Sequence, residues 1–171
     1  MARVYNHVPM PAPERLWELF SLDPFTGDLY WRFKLTSRCR LDRPAGCDAG
    51  NAYRVIRICG QLYGAHRLVM AWVTGTDPGT AYIDHWDRNP KNNAPWNLRL
   101  CNQSQNMANV PRTGWTVDKN GYYVAQIKYQ RKRYHIGTFK TQLEAYTAYI
   151  TAKKLLFGEF AAVAASNLEA L

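Results

Sequence analysis

Ala81-Tyr82-Ile83-Asp84-His85-Trp86-Asp87-Arg88-Asn89-Pro90-Lys91-Asn92-Asn93-Ala94-Pro95-Trp96-Asn97-Leu98-Arg99-Leu100 is the stretch on which the rest of the chain is read. Apolar residues lead into an adjacent Asp-His pair. A polar loop rich in asparagine, with two prolines, follows. Asn97-Leu98-Arg99-Leu100 then alternates polar and apolar side chains, as a short strand does. The next run, Cys101-Asn102-Gln103-Ser104-Gln105-Asn106-Met107-Ala108-Asn109, suits a short helix or turn. The order is strand, loop, strand, helix.

The chemistry of that order is specific. Successive side chains on a strand point to opposite faces. At a strand end, one neighbour can ligate a metal while the other works on the attacking water. Asp84 supplies a hard oxygen, the donor that magnesium and manganese prefer. An imidazole can take a proton from water near neutral pH, and that is the part given to His85. Asn106 offers a second, neutral oxygen ligand. Asn97 could hydrogen-bond the loop backbone or the imidazole.

These residues resemble the ββα-metal finger of the HNH endonucleases, most closely the phage and intron-encoded homing type. Asp84-His85 matches the family's first element, and Asn97-Leu98-Arg99 its second. Asn106 matches the third in its Asn variant, with Asn102 and Asn109 as alternatives. The resemblance implies a single divalent metal, Mg2+ or Mn2+, held by Asp84 and Asn106. His85 would then be the general base, with Asn97 fixing His85 or the loop. It also implies hydrolysis of DNA phosphodiesters to 5′-phosphate and 3′-hydroxyl ends. Arg88, Lys91 and Arg99 become candidates for contact with the DNA backbone.

Outward from the motif, the chain has 171 residues, a net charge of +9 and a pI near 9.5. That balance favours a polyanionic partner, which the resemblance implies is double-stranded DNA. Both halves are basic, with net +4 over residues 1–110 and +5 over residues 111–171. No apolar run is long enough to span a membrane. The four cysteines, Cys39, Cys47, Cys59 and Cys101, form no Cys-x-x-Cys pair, which argues against a structural zinc. No signal peptide is read, so the expectation is reduced thiols in a cytoplasmic protein, as for a phage protein in its host.

Before the motif, residues 1–13 read as an irregular lead-in and residues 14–22 as an amphipathic helix. A turn is expected at residues 23–28 and strands at residues 29–33 and 53–58. Gly60-Gln61 is expected to turn the chain. Residues 66–73 form an apolar helix stopped by Gly75. Thr26-Gly27, Tyr53-Arg54 and His66-Arg67-Leu68 resemble the region that precedes the nuclease motif in phage HNH proteins. Arg54 and Arg57 are further candidates for the phosphate backbone, or else solvated strand residues. His66 could be a catalytic or metal residue, but it reads rather as a helix-start histidine that hydrogen-bonds within the domain.

After the motif comes a second pattern. Trp115-Thr116-Val117, residues 121–129 and residues 133–139 read as three antiparallel strands, turned at residues 118–121 and 130–132. Thr141-Gln142-Leu143-Glu144 is a capping box opening a helix that Gly158 stops. Residues 112–162 resemble the AP2 (ERF-type) DNA-binding domain, through Gly121-Tyr122-Tyr123-Val124-Ala125-Gln126-Ile127, then Ile136-Gly137-Thr138-Phe139-Lys140-Thr141, then Glu144-Ala145. That family lays its sheet in the major groove, which is wide enough for strands. Thr116 and Asp118 stand where the plant factors have arginine, and Asn120 where they have tryptophan, so their target does not carry over.

Alternation places Tyr123, Ala125 and Ile127 toward the helix and Gln126 and Lys128 outward, with Arg133 and His135 on the same outer face. The candidates for DNA contact are Lys119, Gln126, Lys128, Arg131, Arg133 and His135, with Thr116 beside them.

The expectation is therefore an α+β protein. Residues 1–110 form an HNH nuclease domain with an amino-terminal α+β region. Residues 111–171 form a small three-stranded antiparallel sheet plus helix. The leading function is a site-directed, metal-dependent DNA endonuclease. The alternative is a sequence-specific DNA-binding regulator with a degenerate nuclease fold. An RNA-directed nuclease ranks below both.

Overall fold

A computed structural model describes residues 9–50 and 52–163. The chain falls into two compact units, Met1–Cys101 and Asn102–Leu171. Residues 1–8 of the expected lead-in lie outside the described residues.

The first unit opens with helix α1, Pro13–Leu19. Proline suits the first helical position, where its missing N–H is no loss. Leu16 and Leu19, three apart, fall on one face and are fully buried. The helix was expected to run to residue 22. Instead Phe20 turns to extended backbone, and β1, Phe20–Leu22, pairs antiparallel with β2, Leu29–Trp31. The pairing wins because it stacks Phe20 on Trp31, with ring centroids 4.4 Å apart. The second strand also ends at Trp31 rather than at residue 33. Asp23 caps the expected turn, its carboxylate accepting from Phe25 N at 2.8 Å.

A three-stranded antiparallel sheet follows, formed by β3, Cys47–Asp48, β4, Arg54–Ile58, and β5, Gln61–Gly64. The tight turn sits one residue earlier than expected. Cys59 and Gly60 both carry positive φ, the geometry of a two-residue hairpin turn, and Gln61 is already strand. Helix α2, Ala65–Thr74, then buries Leu68 and Val69 completely, and Gly75 ends it in a left-handed conformation. These side chains join Leu16, Leu19, Phe20, Ile56 and Ile58 in one core. Each such burial contributes about 2 kcal/mol.

Arg67 on α2 donates to Gly79 O and Ala81 O, at 2.5 and 2.9 Å. These bonds aim the chain into β6, Tyr82–His85. Its partner is β7, Leu98–Cys101, with Asp84 opposite Arg99 and His85 opposite Leu98. Leu98 is buried in the core and Ile83 packs against it, so the core carries one end of the hairpin. A short 3-10 turn, Pro95–Asn97, leads into β7.

The second unit begins earlier than the boundary expected at residues 110 and 111. Helix α3, Gln103–Ala108, belongs to it. The reason is local bonding. Ala162 N donates to Ala108 O, and the buried Lys153 ammonium donates to Val110 O and Ala162 O. The sheet has the order β10-β9-β8, from β8, Trp115–Val117, β9, Tyr123–Tyr129, and β10, Lys132–Phe139. Gln130 and Arg131 alone make its tight turn, and Lys132 is strand. Helix α4, Gln142–Phe157, starts at the expected capping box, where Thr141 and Glu144 bond reciprocally.

Ala125, Ile127, Ala145, Tyr146 and Tyr149 form the core between sheet and helix. Gly114 is required there, because a Cβ on it would run into the Tyr149 ring. No disulfide joins the four cysteines. Among the described residues, no helix is long and apolar enough to cross a membrane.

Candidate active site

Asp84 and His85 end β6, and both are 5% exposed. Their cross-strand partners decide what each touches. Arg99, opposite Asp84, donates to its Oδ2 from Nε at 2.9 Å and lies 2.8 Å away through Nη2. The pair is charge-assisted and almost fully desolvated, which makes it strong and sets the carboxylate's direction. His85 points to the other side of the hairpin. Its Nε2 lies 3.1 Å from Asn93 Oδ1. An amide oxygen only accepts, so Nε2 is the donor in that contact.

The ring of His85 sits in an aromatic cluster. Its centroid is 5.6 Å from that of His66 and 6.0 Å from that of Tyr53. Tyr53 and His66 are themselves 5.3 Å apart. His66 sits in the first turn of α2, as expected, but it packs by its ring and makes no side-chain hydrogen bond among the described residues. Burial first, then the nearby His85 and Arg67, push its pKa down to about 3. His66 is therefore neutral at physiological pH.

Asn97 is 1% exposed and holds the loop, not the imidazole. Its Nδ2 donates to Asp87 Oδ1 at 2.9 Å and Asn92 O at 2.8 Å, and its Oδ1 accepts from Asp87 N at 3.0 Å. Asn92 Nδ2 donates to Asp87 Oδ2, and Asn89 N to Asp87 Oδ1. Burial pulls the Asp87 carboxyl upward, yet these bonds and His85 outweigh it, and its pKa is lowered. Asn97 thus locks residues 87–92, and Asn93, at the end of that loop, reaches His85. The backbone of Asn93 is pressed in turn against Gly27. A Cβ on Gly27, whose φ is +74°, would run into the Asn93 carbonyl.

The remaining expected residues divide as follows. Arg88 is exposed, with φ of +64°. Lys91 is exposed and lies 3.7 Å from Asp48. Arg54 is engaged with the same aspartate and with Ala45 O, and Arg57 donates to Gly60 O. Asn106 lies in the second unit, on α3. Asn102 caps that helix with its side chain, and Asn109 is buried. The Asn106 side chain is half-buried and makes no hydrogen bond among the described residues. That leaves its amide oxygen available as a donor to a cation. No group of three or more His, Cys, Asp or Glu side chains that could hold a metal ion occurs among the described residues.

On the second unit the outer sheet face forms as alternation requires. Lys128 stands opposite Arg133, Gln126 opposite His135, and Thr116 opposite Val124. A bulge at Ile136 shifts the register, so that Ile136 and Phe139 both pack inward. Lys119, Lys128, Arg131, Arg133 and His135 are exposed, and Gln126 is half-exposed. His135 Nε2 lies 3.2 Å from Thr138 Oγ1.

Asn93 was not expected at the site, and Tyr53, His66 and Gly27 were expected only as part of the segment that completes the core under the hairpin. Asn93 is indistinguishable in sequence from Asn89 and Asn92. Only the fold of the loop selects it. The pair Thr26-Gly27 carried a signal as part of the segment expected before the motif, but its contact with residue 93 spans most of the unit.

A family model described as HNH endonuclease matches residues 63–108, from the end of β5 through α2 and the hairpin to α3. No curated protein and no solved structure matches the chain. The match likens residues 63–108 to the HNH endonucleases.

Proposed function

We propose that the chain is a metal-dependent, site-directed DNA endonuclease of the HNH homing type, cutting double-stranded DNA. The observation that carries this reading is the buried Asp84-His85 pair on a hairpin whose loop is locked by Asn97, within the matched segment. Burial and the Asn93 contact fix the direction of the imidazole, as a general base requires.

In the proposed reaction, His85 takes a proton from water. The water oxygen bonds to phosphorus, the bond from phosphorus to the 3′ oxygen breaks, and the products are a 5′-phosphate and a 3′-hydroxyl. Asn93 fixes the direction of the ring through its contact with Nε2. Asn97 acts through the loop, by holding Asn93 in place. Asp84 would be the carboxylate ligand of the metal, and the sequence spacing pairs it with Asn106. This oxygen-only donor set fits Mg2+ or Mn2+, which keep several waters and take one or two carboxylates. The bound ion supplies charge neutralisation at the phosphate and at the departing oxygen. Arg88, Lys91 and Arg99 position the backbone. The second unit, read as an AP2-like domain, grips the duplex through Lys119, Gln126, Lys128, Arg131, Arg133 and His135.

The test is cleavage of supercoiled DNA carrying candidate sites, with magnesium, manganese or chelator. Metal-dependent nicking or linearisation by the wild type, lost in His85→Ala, is the expected result. A second reading has its own support. The Arg99 guanidinium already balances the Asp84 charge, as it would in a DNA-binding regulator with a retired nuclease fold. In that case neither protein cuts, and both retard the same DNA on a gel with or without metal.

A further inference from the structure

The proposed mechanism leaves two tryptophans at the open end of the hairpin without a role. Trp86 follows His85, and Trp96 precedes Asn97. A hydrogen bond from Trp86 N to Asn97 O, 2.9 Å, brings them within one residue of facing each other across the hairpin. They are 57% and 67% exposed. Leaving large indoles in water forgoes the free energy of burying them. The same unit buries Leu16, Leu19 and Phe20 completely, so it does not lack the means to cover apolar groups.

Their surroundings say what they face. The Arg99 guanidinium lies 5.1 Å from the centroid of the Trp86 ring, close enough for a cation–π contact. Arg88 and Lys91 stand exposed on the same loop. The acids nearby are already engaged, Asp84 by Arg99, Asp87 by Asn92 and Asn97, and Asp48 by Arg54 and Lys91. Indoles interleaved with cations are poor ground for an apolar protein partner, which needs a continuous apolar patch. They suit nucleic acid, where unstacked bases take aromatic platforms and cations track the phosphates. Apolar side chains wedged into a base step also open and kink a duplex.

We propose that Trp86 and Trp96 engage unstacked bases beside the bond to be cut. Site choice then includes how readily a base step opens. Flexible pyrimidine–purine steps are favoured over stiff A-tracts, beyond anything the second unit reads. This rests on the reading of the hairpin as a DNA nuclease.

The test measures binding of the full chain, with chelator present, to a fully paired duplex of mixed sequence and to the same duplex with a short central mismatch. The mismatched duplex presents bases already unstacked. The wild type is expected to bind it more tightly by roughly 5- to 100-fold, the range that stacking of one base corresponds to. Trp86→Ala and Trp96→Ala lose most of that preference, and Trp86→Phe and Trp96→Phe keep most of it. Circular dichroism confirms folding. If Trp86→Ala unfolds, because Arg99 leans on that ring, Trp96→Ala decides. A wild type without preference, or a preference that survives in the folded alanine variants, overturns the inference and leaves the nuclease reading standing. A folded wild type that binds neither duplex removes both.

Discussion

The hairpin of the first unit and the sheet of the second treat polar side chains in opposite ways. On the hairpin, Asp84, His85, Asn93 and Asn97 are buried, and each is held by a partner. On the sheet, Lys128, Arg131, Arg133 and His135 stand in solvent on a face that the core does not need. The difference separates two tasks. A proton transfer needs one side chain in one tautomer and one direction, so burial and hydrogen bonds fix it in advance. Recognition of a charged backbone needs cations that are free to adapt, and their energy comes largely from released counterions. The same amino-acid types therefore serve as fixed or as adaptable groups according to what surrounds them.

The contrast is broken most strongly by His85→Ala. Loss of a positioned general base should lower the cleavage rate by about 10²- to 10⁴-fold, while gel retardation by the second unit persists. Asn97→Ala should come next. It leaves Asp87 N and Asn92 O without their buried partner, and a cost of about 2–4 kcal/mol in chemical denaturation is expected for such unsatisfied groups. Cleavage should fall with it, since Asn93 loses its support.

Acid provides a third probe. The native His66 stays neutral down to about pH 3, whereas its ordinary value is 6.5. Between those limits the unfolded chain binds a proton that the native chain refuses. Stability is therefore whole above pH 6.5 and declines as pH falls, by at most about 1.4 kcal/mol per pH unit. Thermal melts of the wild type and His66→Phe across this window check the slope, which the variant should flatten.

The smallest effects belong to the sheet. Lys128→Ala or Arg133→Ala should each reduce the salt dependence of DNA binding by about one unit of slope. Neither should change the melting curve by more than about 0.5 kcal/mol. If these substitutions unfolded the protein, or if Asn97→Ala left it untouched, the division between fixed and adaptable groups would fail.

Much of this was legible in the sequence, because periodicity and capping are local. The hairpin strands, α2 and its Gly75 stop, the Thr141–Glu144 capping box and the outer face of the sheet all follow from spacing. The helix end at Leu19 was not legible, because residues 20–22 extend what looks like an apolar helix face. Only the distant strand at Leu29–Trp31 draws them into pairing. The role of Asn97 was half legible. Its importance showed in the Asn-Leu-Arg run, but the choice between loop and imidazole depends on where residues 87–93 fold back. The clustering of Tyr53, His66 and His85 depends wholly on packing between elements far apart in sequence. So does the commitment of α3 to the second unit, which turns on a buried lysine more than forty residues downstream.

The contact between Gly27 and Asn93 bears on how such a site could be moved or copied. The segment that carries the sequence signature starts at residue 63, yet the carbonyl that steadies the imidazole's partner rests on a turn near the amino terminus. A chimera that transplants the hairpin alone would carry every recognisable letter of the motif and lack its backstop. The transferable piece must reach back to the bare α-carbon of Gly27.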